Sequence, residues 1–306
     1  MRVVSLIPSA TEIVAALGCG DWIVGRSHEC DHPAGIEALP VCTAPRLDLR
    51  GSSADIDKRV KDALKTALAV YEVKEGLLRE LDPDVIITQS QCEICAVSLK
   101  DVEAAVCDWT GRNVRIVSLE PMCLNDVYQD IRRVAEALNV IEAGETLIRD
   151  MKTRIAAIEA KTRALPSRPS IACIEWTDPM MAAGNWVPEM VTLAGGTDPL
   201  GKAGEHAPWM DWDRLIGAEP NVVAFMPCGF GLERTDRESR VVIDNPNWSK
   251  LPAVREGRTY ITNGNAFFNR PGPRLVESLE ILAEILHPDT FQFGHEGSGW
   301  QAVRTA

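Results

Sequence analysis

Two short stretches of this chain carry side chains that can hold a soft metal: His28-Glu29-Cys30-Asp31 and Gln91-Cys92-Glu93-Ile94-Cys95. Imidazole nitrogen and thiolate sulfur are favoured donors for zinc and for iron in soft sites, and four of them complete a tetrahedral set. His28, Cys30, Cys92 and Cys95 are therefore the candidate metal ligands, with Zn or Fe as the ion. The Cys92-x-x-Cys95 spacing also suits a redox dithiol, and His28 with Glu29 could serve a metal-dependent enzyme. The competing reading is structural, because unpaired cysteine is among the most buried residue types. Cys42, near the first of these loops, and Cys228, after a strand expected in the second half, are further thiols that could join, whereas Cys19, Cys107, Cys123 and Cys173 read as core.

A second kind of chemistry is offered by aromatic faces. Trp176, Trp186, Trp209, Trp212, Phe267 and Phe268 all fall in the second half of the chain. A large, flat, partly apolar ligand buries well against such rings, with a few polar groups fixing its orientation. Trp176, Trp186 and Phe268 are expected to line a ligand site, with Asn269 and Arg270 reaching its polar groups. Trp212 is expected to plug the core beside Leu215. His206, His287 and His295 are expected at the surface. No Gly-x-Ser-x-Gly elbow, phosphate loop or His-Glu-x-x-His pair occurs, so the pattern points to a binding protein and not an enzyme.

These residues need a frame, and the sequence supplies one. Val3–Ile7 is a continuous apolar run of the kind found in strands buried on both faces. Ser9-Ala10-Thr11-Glu12 has capping-box spacing before a helix bearing Ile13, Val14 and Leu17. Further strands are expected at Ile23–Gly25, Val85–Thr88 and Val114–Leu119, alternating with helices around Val60–Leu68, from near Ser98, and along Val127–Leu138. A long helix is expected from Ile141 to Leu165, where Leu147, Ile148, Met151, Ile155 and Ile158 share a side. The alternation then repeats, ending in a helix at Arg274–Leu286 that turns one face inward.

The expected fold is α/β, with two Rossmann-like lobes of mainly parallel sheet joined by a long rigid helix. The lobes span residues 1–140 and 166–290, the joining helix 141–165, and a loose tail 291–306. In such sheets ligands sit beyond the carboxyl ends of the strands. That rule makes Pro8, Ser9, Glu29 and Gln91 ligand-binding candidates beside Trp176, Trp186, Phe268 and Arg270.

Composition narrows the partners. The net charge is −12, which argues against nucleic acid. No apolar stretch reaches about 18 residues, so no membrane span is expected. The nine cysteines are an odd number without scaffold spacing, and Pro8 interrupts the first apolar run before a leader could form. Cytoplasmic residence with reduced thiols is the expectation, and periplasmic residence after leader removal is the alternative.

Several segments, in order, resemble a known family. They are Arg2-Val3-Val4-Ser5-Leu6-Ile7-Pro8-Ser9-Ala10-Thr11-Glu12, Val24-Gly25-Arg26-Ser27, and Leu81-Asp82-Pro83-Asp84-Val85-Ile86-Ile87. Trp212-Asp213-Arg214-Leu215, Ala218-Glu219-Pro220-Asn221-Val222-Val223 and Arg270-Pro271-Gly272-Pro273-Arg274 follow. Across about residues 2–287 the chain resembles the helical-backbone (class III) substrate-binding proteins, most closely the vitamin B12-binding proteins of ABC importers. The resemblance implies a small-molecule ligand, cobalamin or a related corrinoid, held between two lobes, with heme or a ferric chelate as nearby options. It also implies an ABC transporter permease as partner. The chain is similar to a leaderless, cytosolic branch of that family.

Overall fold

The computed structural model describes residues 1–65, 70–90, 102 and 114–304. The chain forms two compact units: Met1–Gly51, Asp55–Pro121 and Asn125–Asp150 make the first, and Ser52–Ala54, Met122–Leu124 and Met151–Ala306 the second. The first half runs β1 (Val3–Ser5), α1 (Pro8–Ala16), β2 (Ile23–Arg26), β3 (Thr43–Pro45), α2 (Ser53–Lys65), β4 (Tyr71–Val73) and α3 (Glu75–Leu81). It continues through β5 (Val85–Gln89), β6 (Arg115–Leu119), α4 (Leu124–Ala137) and α5 (Ile141–Arg163).

In unit 1 the strand order is β2-β1-β5-β6, and every pairing is parallel. β1 sits between β2 and β5, so the order reverses there, which is where a doubly wound sheet opens a crevice at its carboxyl edge. Every residue of β1 and β5 is buried, as the unbroken apolar runs require. Val4, Leu6, Cys42, Leu78 and Ile86 form one core cluster with Val70 and Tyr71. Gly25 of β2 is needed for close packing: a Cβ there would lie 2.6 Å from both Cys42 Sγ and Leu81 Cδ1.

The Ser9–Glu12 capping box does not form. Pro8 takes the first helical turn and Ile7 the N-cap position, with no side-chain cap. Proline suits that place, because its missing N–H is one the helix would leave unpaired anyway. Thr11, one turn in, donates instead to Ser5 Oγ at 2.8 Å.

Asp130, in α4, is fully buried among the described residues of unit 1 and accepts from Arg133 at 2.7 Å. Burial pushes its carboxyl up from 3.8 to about 7, and the exposed Arg133 guanidinium offsets only part of that. A raised carboxyl stabilises the fold below the unfolded value of 3.8, and that contribution is lost as pH rises through about 7. Asp130→Asn is therefore expected to raise stability at mildly alkaline pH by on the order of 2–3 kcal/mol, each tenfold in proton affinity being about 1.4 kcal/mol. Urea unfolding of both proteins across that pH range checks it.

α5 carries the chain from unit 1 to unit 2 without a break, since the division falls between Asp150 and Met151. At about 1.5 Å per residue its length is roughly 35 Å. Unit 2 then runs β7 (Ile171–Thr177), β8 (Met180–Ala182), α6 (Val187–Leu193), α7 (Trp212–Gly217), β9 (Val222–Phe225) and α8 (Leu232–Ile243). α9 (Pro252–Arg255), β10 (Thr259–Thr262), α10 (Leu275–Leu286) and β11 (Trp300–Ala302) complete it. Its sheet has the order β11-β10-β9-β7-β8. The centre is parallel and both edge pairings are antiparallel.

Two expectations are corrected in this unit. The last residues are not a loose tail: β11 pairs with β10, and Phe291 is buried. α10 is buried on all sides except at Glu277, because the returning segment covers the face that would otherwise meet water. The same cover draws in two histidines expected at the surface. His287 lies against Gly195 O at 3.2 Å, and His295 Nε2 against Glu280 Oε2 at 2.8 Å.

Candidate functional site

Unit 1 gathers its polar side chains at the carboxyl edge of β1 and β2. The turn after β2 presents Ser27, His28, Glu29 and Cys30, and Arg26 holds that turn from behind. The Arg26 guanidinium donates to Ser27 O (3.0 Å), Cys30 O (3.2 Å) and Glu37 O (2.9 Å), and the residue is only 8% exposed. A planar fork with several fixed donors can gather three carbonyls in this way, as a single ammonium cannot.

The β3–β4 ribbon supplies the other wall. Thr43 pairs with Val73 and Pro45 with Tyr71 in antiparallel register, which brings both Thr43 and Tyr71 to the His28 turn. Thr43 Oγ1 lies 3.0 Å from the His28 backbone N and 2.7 Å from Nδ1, and it donates to Ser27 Oγ at 3.2 Å. The Tyr71 ring stands 5.1 Å from the imidazole, and its hydroxyl donates to Glu29 Oε1 at 3.1 Å. Burial lowers the His28 pKa below 6.5, helped by the positive charges of Lys74 and Arg26, so the ring is neutral. Thr43 and Tyr71 escaped the sequence reading, because a three-residue ribbon containing Pro45 shows no alternation to detect.

Cys30 is differently placed. Its thiol is buried, 3.0 Å from Thr11 Oγ1 at the start of α1. Burial raises the Cys42 thiol to about 11, which keeps it protonated and a poor metal donor. Among the described residues no group of three or more His, Cys, Asp or Glu side chains could hold an ion. Gln91, Cys92 and Cys95 lie outside the described residues. Of the four-ligand set, only His28 and Cys30 fall among the described residues. Of the other candidates from this edge, Pro8 is partly exposed and Ser9 is buried.

In unit 2 the carboxyl edge is aromatic. Trp176, next to last in β7, is half-buried, with its Nε1 donating to Asp178 O at 3.1 Å. Its ring packs on Phe230 at 5.3 Å, and the Arg234 guanidinium lies 3.8 Å over the other ring of that pair. Phe230 lies in the loop after β9, and Arg234 lies in the first turn of α8.

Behind this edge, two loops are joined backbone to backbone. Asn265 N donates to Phe230 O at 3.1 Å, and Asn269 Nδ2 donates to both Met226 O and Gly264 O at 3.1 Å. Gly264 lies so close that an added Cβ would be 2.3 Å from Pro227 O. Trp186 and Phe268, expected as walls, are interior: Trp186 is 5% and Phe268 0% exposed, and Trp186 Nε1 donates to Phe268 O at 2.9 Å. Arg270 is buried too and donates to Asn265 Oδ1 at 3.1 Å. Asn269 is thus committed to backbone carbonyls. Cys228 and His206 are exposed, and Trp212 packs on the unit 2 core as expected.

Comparisons with known proteins place the geometry in context. A periplasmic binding protein profile matches residues 3–266. An uncharacterized ABC transporter substrate-binding lipoprotein of Bacillus subtilis is 25% identical over 297 residues, covering 95% of this chain and 81% of that protein. A vitamin B12-binding protein of Vibrio vulnificus is 23% identical over 288 residues, covering 92% of this chain and 89% of its own length. In structure, a periplasmic heme binding protein from Pseudomonas aeruginosa superposes with a TM-score of 0.73 at 18% identity, covering 99% of this chain and 98% of that one. This last likeness concerns the fold. Among the described residues no helix is long and apolar enough to cross a membrane.

Proposed function

Because the chain belongs to the periplasmic binding protein family, we propose that it binds a planar, metal-bearing tetrapyrrole, a cobalamin or related corrinoid first and heme second. The family is one of binding proteins and not of enzymes, which agrees with the lack of catalytic motifs. The observation that carries the ligand class is the half-buried Trp176 tilted at 45° against Phe230, with the Arg234 guanidinium over the Phe230 ring. A flat apolar face beside a delocalised cation suits a macrocycle edged with acids or amides. The names of the Vibrio and Pseudomonas proteins point to the same class. In unit 2 the proposed contact is Trp176, with Trp186, Phe268 and Arg270 supporting that edge from the interior, and in unit 1 the carboxyl-edge candidates are Pro8, Ser9 and Glu29.

Calorimetric titration of the purified chain with cobalamin, cobinamide, hemin and a ferric chelate tests the reading. Saturable binding of one macrocycle at one site per chain is expected, and binding of none of them refutes it. Trp176→Ala is expected to weaken the tightest ligand by about tenfold or more, since ring stacking and burial together contribute roughly 2 kcal/mol. An unchanged affinity would remove Trp176 from the site.

An ABC transporter permease is the proposed partner, supported by the Bacillus relative. For location, the buried thiols Cys19, Cys42 and Cys173 suit a reducing compartment, whereas the family's name favours the periplasm. Fractionation of the native cell with an antibody separates the two.

A further inference from the structure

The C-terminal segment returns across α10 as a strap, and its grip is concentrated at His295. The His295 carbonyl accepts from the N–H groups of Ser298 (3.2 Å), Gly299 (2.7 Å) and Trp300 (3.3 Å), which closes the turn that delivers β11. Its imidazole Nε2 meets Glu280 Oε2 of α10 at 2.8 Å, and the ring packs against Phe267 at 6.1 Å. The fit is close, since a Cβ at Gly299 would lie 2.7 Å from Ile281 Cδ1. Asn263, just past β10, donates its N–H to Gly299 O at 2.8 Å, so the strap also holds the turn after β10.

Charge around this histidine is unbalanced. Glu277, Glu280 and Glu284 of α10 all act on it electrostatically. Arg154 of α5 pairs with Glu277 at 3.1 Å and with Glu280 at 2.7 Å. Glu284 takes up the N–H groups of Phe293, Gly294 and His295 and the Trp300 indole. Arg274 lies 5.5 Å from the centroid of the Phe267 ring, and Glu296 is exposed. Against three carboxylates stands one paired guanidinium, and a protonated His295 adds a second cation. We propose that protonation of His295 fastens the strap to α10 and that its deprotonation loosens it, so that β11 and the turn after β10 respond to pH. The device is independent of what unit 2 binds. The Glu280 hydrogen bond raises the His295 pKa above 6.5 against the opposing effect of burial, with the nearby carboxylate charges adding to the rise. A histidine raised in this way contributes stability that is complete below 6.5 and is lost as pH climbs through the folded value. A neutral ring can still donate from Nε2, but a charge-assisted hydrogen bond is roughly twice as strong.

The test follows the purified full chain from about pH 5.5 to about pH 9, a range that spans histidine titration. NMR of the His295 ring, assigned through its contacts with Phe267 and Phe293, is expected to give a midpoint above 6.5 in the wild type. Glu280→Gln should lower that midpoint. Amide exchange across Trp300–Ala302 is read as the ratio of His295→Gln to wild type at each pH, which cancels the intrinsic base catalysis of exchange. The ratio is expected to be about tenfold at the acid end and to fall toward unity at the alkaline end, tenfold being the worth of one pKa unit. In a Glu280→Gln background it should stay near unity throughout. Exchange at Val222–Phe225 of β9 should not change in any of these proteins. A wild-type His295 midpoint at or below 6.5 overturns the inference whether or not the variants fold. A ratio that is constant with pH also overturns it. So does a ratio that rises equally in β9, because His295 would then stabilise the whole unit and not the strap.

Discussion

Replacing Glu284 with alanine is expected to free the C-terminal segment and to lower stability by on the order of 3–5 kcal/mol, the range for breaking a buried, charged hydrogen-bond centre. Glu284 lies in α10 and is 4% exposed. Its Oε1 accepts from the backbone N–H groups of Phe293, Gly294 (2.7 Å) and His295 (3.5 Å), and Oε2 accepts from Trp300 Nε1 at 2.7 Å. One carboxylate thus satisfies donors on both sides of the turn that delivers β11 to β10. With alanine, those donors must find water, and water reaches them only if the segment lifts. Glu284→Gln keeps one carbonyl oxygen and should lose less, about 1–2 kcal/mol. Limited proteolysis and hydrogen exchange across Trp300–Ala302 report the release directly. If exchange there is unchanged in Glu284→Ala, then the β10–β11 pairing holds the segment by itself.

The second large effect is expected at Arg26, and it separates loop order from ligand contact. Arg26→Ala removes the donors for Ser27 O, Cys30 O and Glu37 O. A loss on the order of 2–4 kcal/mol follows from leaving buried carbonyls unpaired. Ligand affinity should fall more than tenfold, because His28 and Glu29 lie within the turn that those bonds close. Arg26→Lys should recover only a small part, since an ammonium cannot span three acceptors. Equilibrium unfolding and the macrocycle titration together decide the matter. Reduced stability with unchanged affinity would mean that the turn is structural and that the ligand sits elsewhere.

Much of the frame was legible because burial on two faces leaves a strong mark. Val3–Ile7 and Val85–Thr88 read as strands, and the side shared by Leu147, Met151, Ile155 and Ile158 predicted the long helix found as α5. What failed to show was set by contacts distant in sequence. Trp186 looked like a ligand wall until its indole N–H was found on a carbonyl 82 residues away. The Ser9 capping signal was genuine in spacing, but Pro8 took the first turn and displaced it. The C-terminal segment looked unstructured because it has little apolar periodicity. Its order comes instead from Glu284, a residue that composition alone would assign to water. In the candidate site, His28, Glu29 and Cys30 were named from chemistry. Their surroundings were not, since Thr43 and Tyr71 arrive on a ribbon too short for a pattern.

The seam at Gly264 has a practical meaning for altering what unit 2 recognises. With its backbone against Pro227 O, and with Asn269 clasping Met226 O, the turns after β9 and β10 cannot be reshaped one at a time. Selection for a new specificity would therefore succeed by exchanging side chains on a fixed chassis, at exposed positions such as Cys228, while any residue larger than glycine at 264 would disturb both turns together.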